Sequence, residues 1–202
     1  RNDRRPDRAV IAYANLIRRH CKETAPIVLG GIEASLRRIA HYDAWDNRVR
    51  RSILFDAKAD YLLDGMAERS VVELARAMAA GESPTAIRGL CHIAAEPPAG
   101  ALVLPAYAEA AADRERFTAM FRTFYDHGDP VTARMLAQQQ DTRFLVHNPP
   151  QLPLSTAELD AVHDLEFTRD LHPTDRKRGP VRALDTIRFA LTTHRGCYGE
   201  CN

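Results

Sequence analysis

Pro26-Ile27-Val28-Leu29-Gly30-Gly31 decides the fold. A short unbroken apolar run ending in two glycines predicts a buried parallel strand and its turn, because a strand covered on both faces does not alternate. Upstream, Ala9, Tyr13, Leu16, Ile17 and His20 recur at helical spacing and predict a helix to about Lys22. Pro6 and Asp7 suit its first turn. Helix, strand and glycine turn in this order indicate an α/β fold with an open, mostly parallel sheet flanked by helices.

Residues 32–58 break this rhythm. They hold Arg37, Arg38, Arg48, Arg50 and Arg51, the single Trp45, and several Asp and His. No clean period runs through them. An excursion with short helical turns is expected, tied down by arginine pairs to Glu33, Asp43, Asp46, Asp56 and Asp60. Phosphate or RNA binding is the other reading of these arginines, and the interleaved acids argue for internal pairing. Ala59–Gly65 predicts a second strand. Glu68–Ala80 predicts an amphipathic helix with Val71, Val72, Ala75, Met78 and Ala79 on one inward face and Gly81 as its stop.

Further strands are expected at Ala86–Ala94, bent at Gly89, at Leu102–Leu104 on an edge ended by Pro105, and at Arg143–His147. Helices are expected over Asp113–Asp126, with Phe117, Met120, Phe121 and Phe124 on one face, and from Asp129-Pro130 to about Gln140. Asn148–Pro153 reads as a stiff linker. Ser155-Thr-Ala-Glu158 is a capping box for a helix carrying Leu159, Val162 and Leu165 inward. Residues 170–180 are charged and punctuated by proline and glycine, which places a domain boundary there: 1–180 and 181–202. Thr186–Thr193 alternates and predicts a new strand.

The chain has 202 residues, 45% of them hydrophobic, with 28 basic and 27 acidic side chains and a net charge of +1. That balance gives no electrostatic case for nucleic acid or for an anionic membrane. No apolar run is long enough to span a bilayer. Four cysteines in a chain this long do not make a secreted disulfide scaffold, so a cytoplasmic setting is expected. The chain opens on Arg1 and stops inside a motif at Asn202, so a piece of a longer polypeptide is expected.

That motif is Thr193-His-Arg-Gly-Cys197-Tyr-Gly-Glu-Cys201-Asn. Cysteine thiolates bind zinc and iron, and glycines at 196 and 199 let backbone wrap closely around a bulky group. Taken alone, the pair is open to a free-thiol, a zinc, a redox or a cluster reading. The other candidates are weaker. Gly30-Gly31 is either a cofactor-facing loop or a tight turn. His41, His147, His163 and His172 are expected to be hydrogen-bonded structural residues. His194 and Arg195 either tune the cysteine loop or cap the preceding strand.

Thr192–Asn202 resembles the start of the CxxxCxxC motif of radical S-adenosylmethionine (SAM) enzymes. The resemblance extends upstream to YgiQ-family radical SAM proteins. It runs through Gly30-Gly-Ile-Glu-Ala-Ser-Leu-Arg-Arg, His41-Tyr-Asp, Trp45, Val49-Arg-Arg-Ser-Ile-Leu, Asp56-Ala-Lys-Ala-Asp60 and Gly65-Met. It continues in His147-Asn-Pro-Pro, Leu154, Glu158-Leu-Asp and Phe167-Thr-Arg with His172-Pro. Ala67, Ala44 and Glu200 depart from the family's usual residues, and none removes a ligand.

The resemblance implies a cobalamin-binding-like N-terminal α/β domain followed by the first strand and cluster loop of a radical SAM barrel. It implies that Cys197 and Cys201 are two of three ligands to a 4Fe–4S cluster, the third lying beyond Asn202. SAM, an unknown substrate and an external electron donor are the implied partners. Cobalamin is compatible with such a fold, but no DxHxxG pattern supports it, and that pattern would lie upstream of Arg1. The alternative is a non-catalytic α/β binding module whose cysteine pair holds zinc or is free.

Overall fold

The structure is a computed structural model and describes residues 6–190 and Arg195. These fall into two compact units, divided between Pro153 and Leu154. The first opens with helix α1 (Ala9–His20), strand β1 (Val28–Leu29) and helix α2 (Gly31–Leu36). The excursion follows as a hairpin of β2 (His41–Asp43) and β3 (Arg48–Arg50), then the single turn α3 (Ile53–Asp56). Next come β4 (Tyr61–Leu63), α4 (Glu68–Ala80), β5 (Leu90–Ala94), β6 (Leu102–Leu104), α5 (Tyr107–Ala112), α6 (Arg114–Asp126), β7 (Leu136–Gln140) and β8 (Arg143–His147). The second unit holds α7 (Thr156–His163), α8 (Pro173–Arg176) and α9 (Arg182–Ile187).

Six strands form one open sheet in the order β1-β4-β5-β8-β7-β6. Parallel pairing lies at its two ends, β1 with β4 and β6 with β7. Three antiparallel pairs join them across the centre. The α/β class and the open, helix-flanked sheet therefore match the expectation, and the sheet is mixed.

The two faces of the sheet have separate cores. On one face Leu29, Leu62, Cys91 and Leu145 pack with Ala14 of α1, the α3 turn, and Met120 and Phe124 of α6. On the other, Leu63 and Leu90 pack with Leu74 of α4. Alternation along each strand separates the two sets. The expected inward face of α4 is corrected: Leu74 and Ser70 are buried, whereas Val71 and Val72 are exposed. Ala67 before the helix and Gly81 after it both take left-handed φ, so Gly81 is the stop that the sequence predicts.

Four further expectations are corrected. The helix from Asp129 to Gln140 is not present, because Leu136–Gln140 pairs on both sides as β7. Asp129 instead accepts the Val131 and Thr132 amides in a turn. The strand at Ala86–Ala94 begins only at Leu90, since Gly89 has a φ of 72°. Of the strand expected at Thr186–Thr193, Thr186 and Ile187 lie in α9 and 188–190 are in turn and coil, while 191–193 lie outside the described residues. Pro6 and Asp7 precede α1 rather than forming its first turn. The capping box is as expected: Ser155 Oγ accepts the Glu158 amide at 3.3 Å, and Glu158 Oε2 accepts the Ser155 amide at 2.8 Å.

Candidate functional site

Strands β1, β4 and β8 run in the same direction, so their carboxyl ends share one end of the sheet. That is where open α/β sheets bind ligands. Each end carries a singular sequence: Gly30-Gly31 after β1, Asp64-Gly65 after β4, and His147-Asn148 closing β8. Gly30 caps α2 in extended conformation, and Gly31 starts the helix with a φ of 83°, which favours glycine. The turn is therefore a strand-to-helix junction. Ser35 of α2 accepts the Gly65 amide at 3.1 Å, which ties the first two ends together.

Arg38, just after α2, joins all three. Its Nε lies 2.9 Å from His147 Nε2 and 3.4 Å from Asp64 Oδ1. Its Nη1 donates to the Ser35 carbonyl. The guanidinium carbon stacks 4.5 Å from the centre of the Phe124 ring, and the His147 ring meets Phe124 edge-on at 5.8 Å. Arg38 and His147 are 6% and 2% exposed, so this is a buried cation held by a buried carboxylate. Burial alone would raise the Asp64 pKa; His147, the Arg38 charge and the Gly65 amide outweigh it and hold the carboxyl below its ordinary value. His147 Nε2 lies between Arg38 Nε at 2.9 Å and Asp64 Oδ2 at 3.7 Å, and its Nδ1 is buried with no hydrogen-bond partner among the described residues.

Asn148 continues the motif as a clamp. Its Nδ2 donates to the carbonyls of Thr85 and Ile87 at 2.8 and 2.7 Å. Pro149 O accepts the Gly89 amide and Pro150 O accepts Arg88 Nε. The His-Asn-Pro-Pro run thus fixes the loop that feeds β5. A Cβ at Gly89 would stand 3.2 Å from Ser70 Oγ, and its positive φ adds to the demand for glycine there.

Beside Phe124 lies a cavity of about 320 Å3 lined by Leu36, Ile39, Ala40, His41, Tyr42 and the aromatic face of α6. His41 Nδ1 is 3.1 Å from the Ile39 carbonyl, and burial lowers the ring's pKa. The wall is carried by β7. Gln138 Oε1 accepts the Ala40 amide at 2.9 Å, Gln140 Oε1 accepts the Ser52 amide at 2.8 Å, and Gln140 Nε2 donates to Gln138 Oε1. These two buried glutamines pin both ends of the β2–β3 excursion to the sheet.

The arginines of the excursion pair with carboxylates as expected. Arg50 bonds Asp46 and Asp56 at 2.9 and 2.8 Å, Arg51 bonds Asp56 and Asp141 at 2.7 Å each, and Arg37 meets Glu33 at 3.3 Å. Arg8 bridges Asp43 and Asp46 and draws the Asp43 carboxyl down to about 2. Two partnerships differ from the expectation: Arg38 belongs to Asp64, and Asp60 pairs with Arg18 of α1. Arg38 is buried, and its guanidinium meets Asp64 and His147 rather than a hairpin carboxylate. The sign of this was an aspartate placed directly between an apolar strand and a glycine at 64–65.

Cys197 and Cys201 lie outside the described residues, as do His194, Gly196 and Gly199. Among the described residues no group of three His, Cys, Asp or Glu side chains could hold a metal. Cys91 is buried, and burial pushes its thiol pKa well up, the opposite of a ligand thiolate; Cys21 is exposed and free. Arg195 lines a cavity of about 550 Å3 in the second unit, with Phe167, Arg169 and Arg188. His172 accepts the Thr174 amide and caps α8. No described helix is long and apolar enough to cross a membrane.

The family model "Radical SAM N-terminal" matches residues 1–190. The chain is 52% identical over 202 residues to a UPF0313 protein of Fusobacterium nucleatum, covering 100% of this chain and 36% of that protein. It is 44% identical to one of Thermotoga petrophila, covering 98% and 35%, and 46% identical to one of Geobacter sulfurreducens, covering 100% and 34%. The chain thus spans about a third of the length of these curated relatives. No solved structure matches it. The runs that carry the resemblance to YgiQ-family proteins, Gly30–Arg38, the Asp64-Gly65-Met66 end and His147–Pro150, are brought together at one end of this sheet, and the chain belongs to the radical SAM N-terminal family.

Proposed function

We propose that this chain is the accessory α/β region of a radical SAM enzyme and the entry into its catalytic core. Residues 1–180 form the accessory region, and the core begins at about residue 181. The observation that carries the reading is the family match over residues 1–190, followed closely in sequence by Cys197 and Cys201 with Gly196 and Gly199 beside them. In this reading Cys197 and Cys201 provide two thiolates to a 4Fe–4S cluster, and a third comes from beyond Asn202. Thiolate donors suit iron, and the buried Cys91 is excluded from the role by its raised pKa. A 4Fe–4S cluster supplies, when bound, the electron from an external donor that splits SAM into methionine and a 5′-deoxyadenosyl radical. The first unit's part is structural support: the Arg38–Asp64–His147 cluster locks the strand ends, and the excursion is pinned over them.

The test is anaerobic reconstitution of the full-length protein with iron and sulfide, followed by electron paramagnetic resonance with and without SAM. A reduced-cluster signal that changes on adding SAM, and that is lost in Cys197→Ala and Cys201→Ala, is the expected result. A protein that takes up zinc with no such signal would instead be a non-catalytic α/β binding module.

A further inference from the structure

The cavity of about 320 Å3 beside Phe124 is a slot between α6 and the segment from Leu36 to Tyr42. One wall is three phenylalanines at i, i+4 and i+7. Phe117 and Phe121 stack with ring centres 6.5 Å apart and planes 16° apart. Phe124 follows at 6.4 Å from Phe121, tilted by 47°. The other wall is Leu36, Ile39, Ala40, His41 and Tyr42. Ile39, Ala40 and Phe124 are buried and make the floor, whereas Leu36, Tyr42 and Phe121 are exposed and make the mouth.

The two walls are held apart. The Ala40 amide donates to Gln138 Oε1 at 2.9 Å, the Arg37 carbonyl accepts the Ile53 amide at 2.9 Å, and Arg38 is fixed by Asp64 and His147. A segment pinned at three points cannot settle onto α6. The lining side chains therefore forgo dispersion contacts that a ligand would restore.

The polar atoms of the slot define the ligand. His41 Nδ1 lies 3.1 Å from the Ile39 carbonyl. A carbonyl only accepts, so Nδ1 carries the ring proton. Burial lowers the pKa of the ring and keeps it neutral at pH 7. Nε2 is then a bare acceptor, buried with no hydrogen-bond partner among the described residues. An unpaired buried acceptor is costly, and a donor brought to it recovers that cost. Nε2 is shielded from water, so a ligand's donor competes with no solvent for it, and a small turn of the ring about its Ile39 contact brings the two together. The Tyr42 hydroxyl already donates to Asn47 Oδ1 at 2.5 Å. No Lys, Arg, Asp or Glu is among the lining residues, so a charged ligand finds no counterion. The Arg38 guanidinium stacked on Phe124 further disfavours a cation.

We propose that this slot binds a small, neutral, planar aromatic molecule carrying an N–H or O–H donor. The ring lies against Phe117 and Phe121, and the donor meets His41 Nε2. This gives the first unit a binding role beyond structural support.

Isothermal titration of the full-length protein with indole and with benzofuran tests this. The two share size and shape, and only indole carries a donor. Indole is expected to saturate a single site and to bind about tenfold more tightly than benzofuran. His41→Phe keeps a ring and removes Nε2, so it should bring the two affinities together and leave that for benzofuran unchanged. Phe121→Ala, at the exposed mouth, should weaken both by a similar factor of about two to ten. Equal affinity of the wild-type protein for the two ligands, or binding of neither, overturns the proposal. Indole binding that appears only in Trp45→Ala also overturns it, because the occupant is then the exposed Trp45 side chain of a second copy. The wild-type comparison decides the matter even if a variant does not fold. It needs no cluster, so its outcome is independent of the cluster reading.

Discussion

Arg38 shows how one residue can organise three distant runs. It meets Asp64 and His147 only because α2 delivers it over the carboxyl ends of β4 and β8. Breaking a buried pair from one side leaves an uncompensated charge. Arg38→Met is therefore expected to cost about 3 kcal/mol in urea unfolding, and adding Asp64→Asn to it should recover part of that loss. Asp43 gives a pH test. Its folded pKa, held down first by the Arg8 hydrogen bond to about 2, lies below the ordinary 3.8. Its contribution is therefore full above pH 3.8 and is lost as pH falls toward about 2. Asp43→Asn should be less stable than wild type at pH 7, with the difference closing through that window; a difference independent of pH would refute the assignment.

At the scale of elements, α4 and β7 separate two kinds of information. The bounds of α4 follow from sequence alone, because a left-handed Gly81 ends it whatever lies beneath. Its inward face does not follow. Of the predicted stripe Val71, Val72, Ala75, Met78 and Ala79, only Met78 packs against this core; Leu74 and Ser70 face the sheet, since Leu63 and Leu90 fill one core there and Ser70 bonds the Arg88 carbonyl. Leu74→Ala should cost about 2–5 kcal/mol, while Val72→Ala should stay within about 0.5 kcal/mol. Chemical denaturation of both variants checks the orientation. Strand β7 was hidden because Gln138, Gln139 and Gln140 carry no strand-like pattern. Two of these glutamines are buried because the excursion offers them the unpaired Ala40 and Ser52 amides. Gln140→Leu strands the Ser52 amide and should cost about 1–3 kcal/mol, read as earlier unfolding of the β2–β3 hairpin in hydrogen exchange.

For the whole molecule, the α/β class, the apolar strands and the family could be read from the chain. Continuous apolar runs and helix stops are local signals, and the motif runs are long and in order. The paired arginines were also legible, because acids interleave with them in sequence. The sheet order was not: its antiparallel centre depends on β8 entering between β5 and β7, pairings set by residues fifty or more positions apart for β5 and β8. The candidate site divides in the same way. Cys197 and Cys201 are proposed from sequence alone, since a cysteine pair flanked by glycines is a chemical pattern visible in ten consecutive residues. Only the tertiary structure decided that Arg38, Asp64 and His147 form one buried cluster. A charge is drawn into an interior by whichever opposite charge the fold brings within reach, and that distance is not written along the chain.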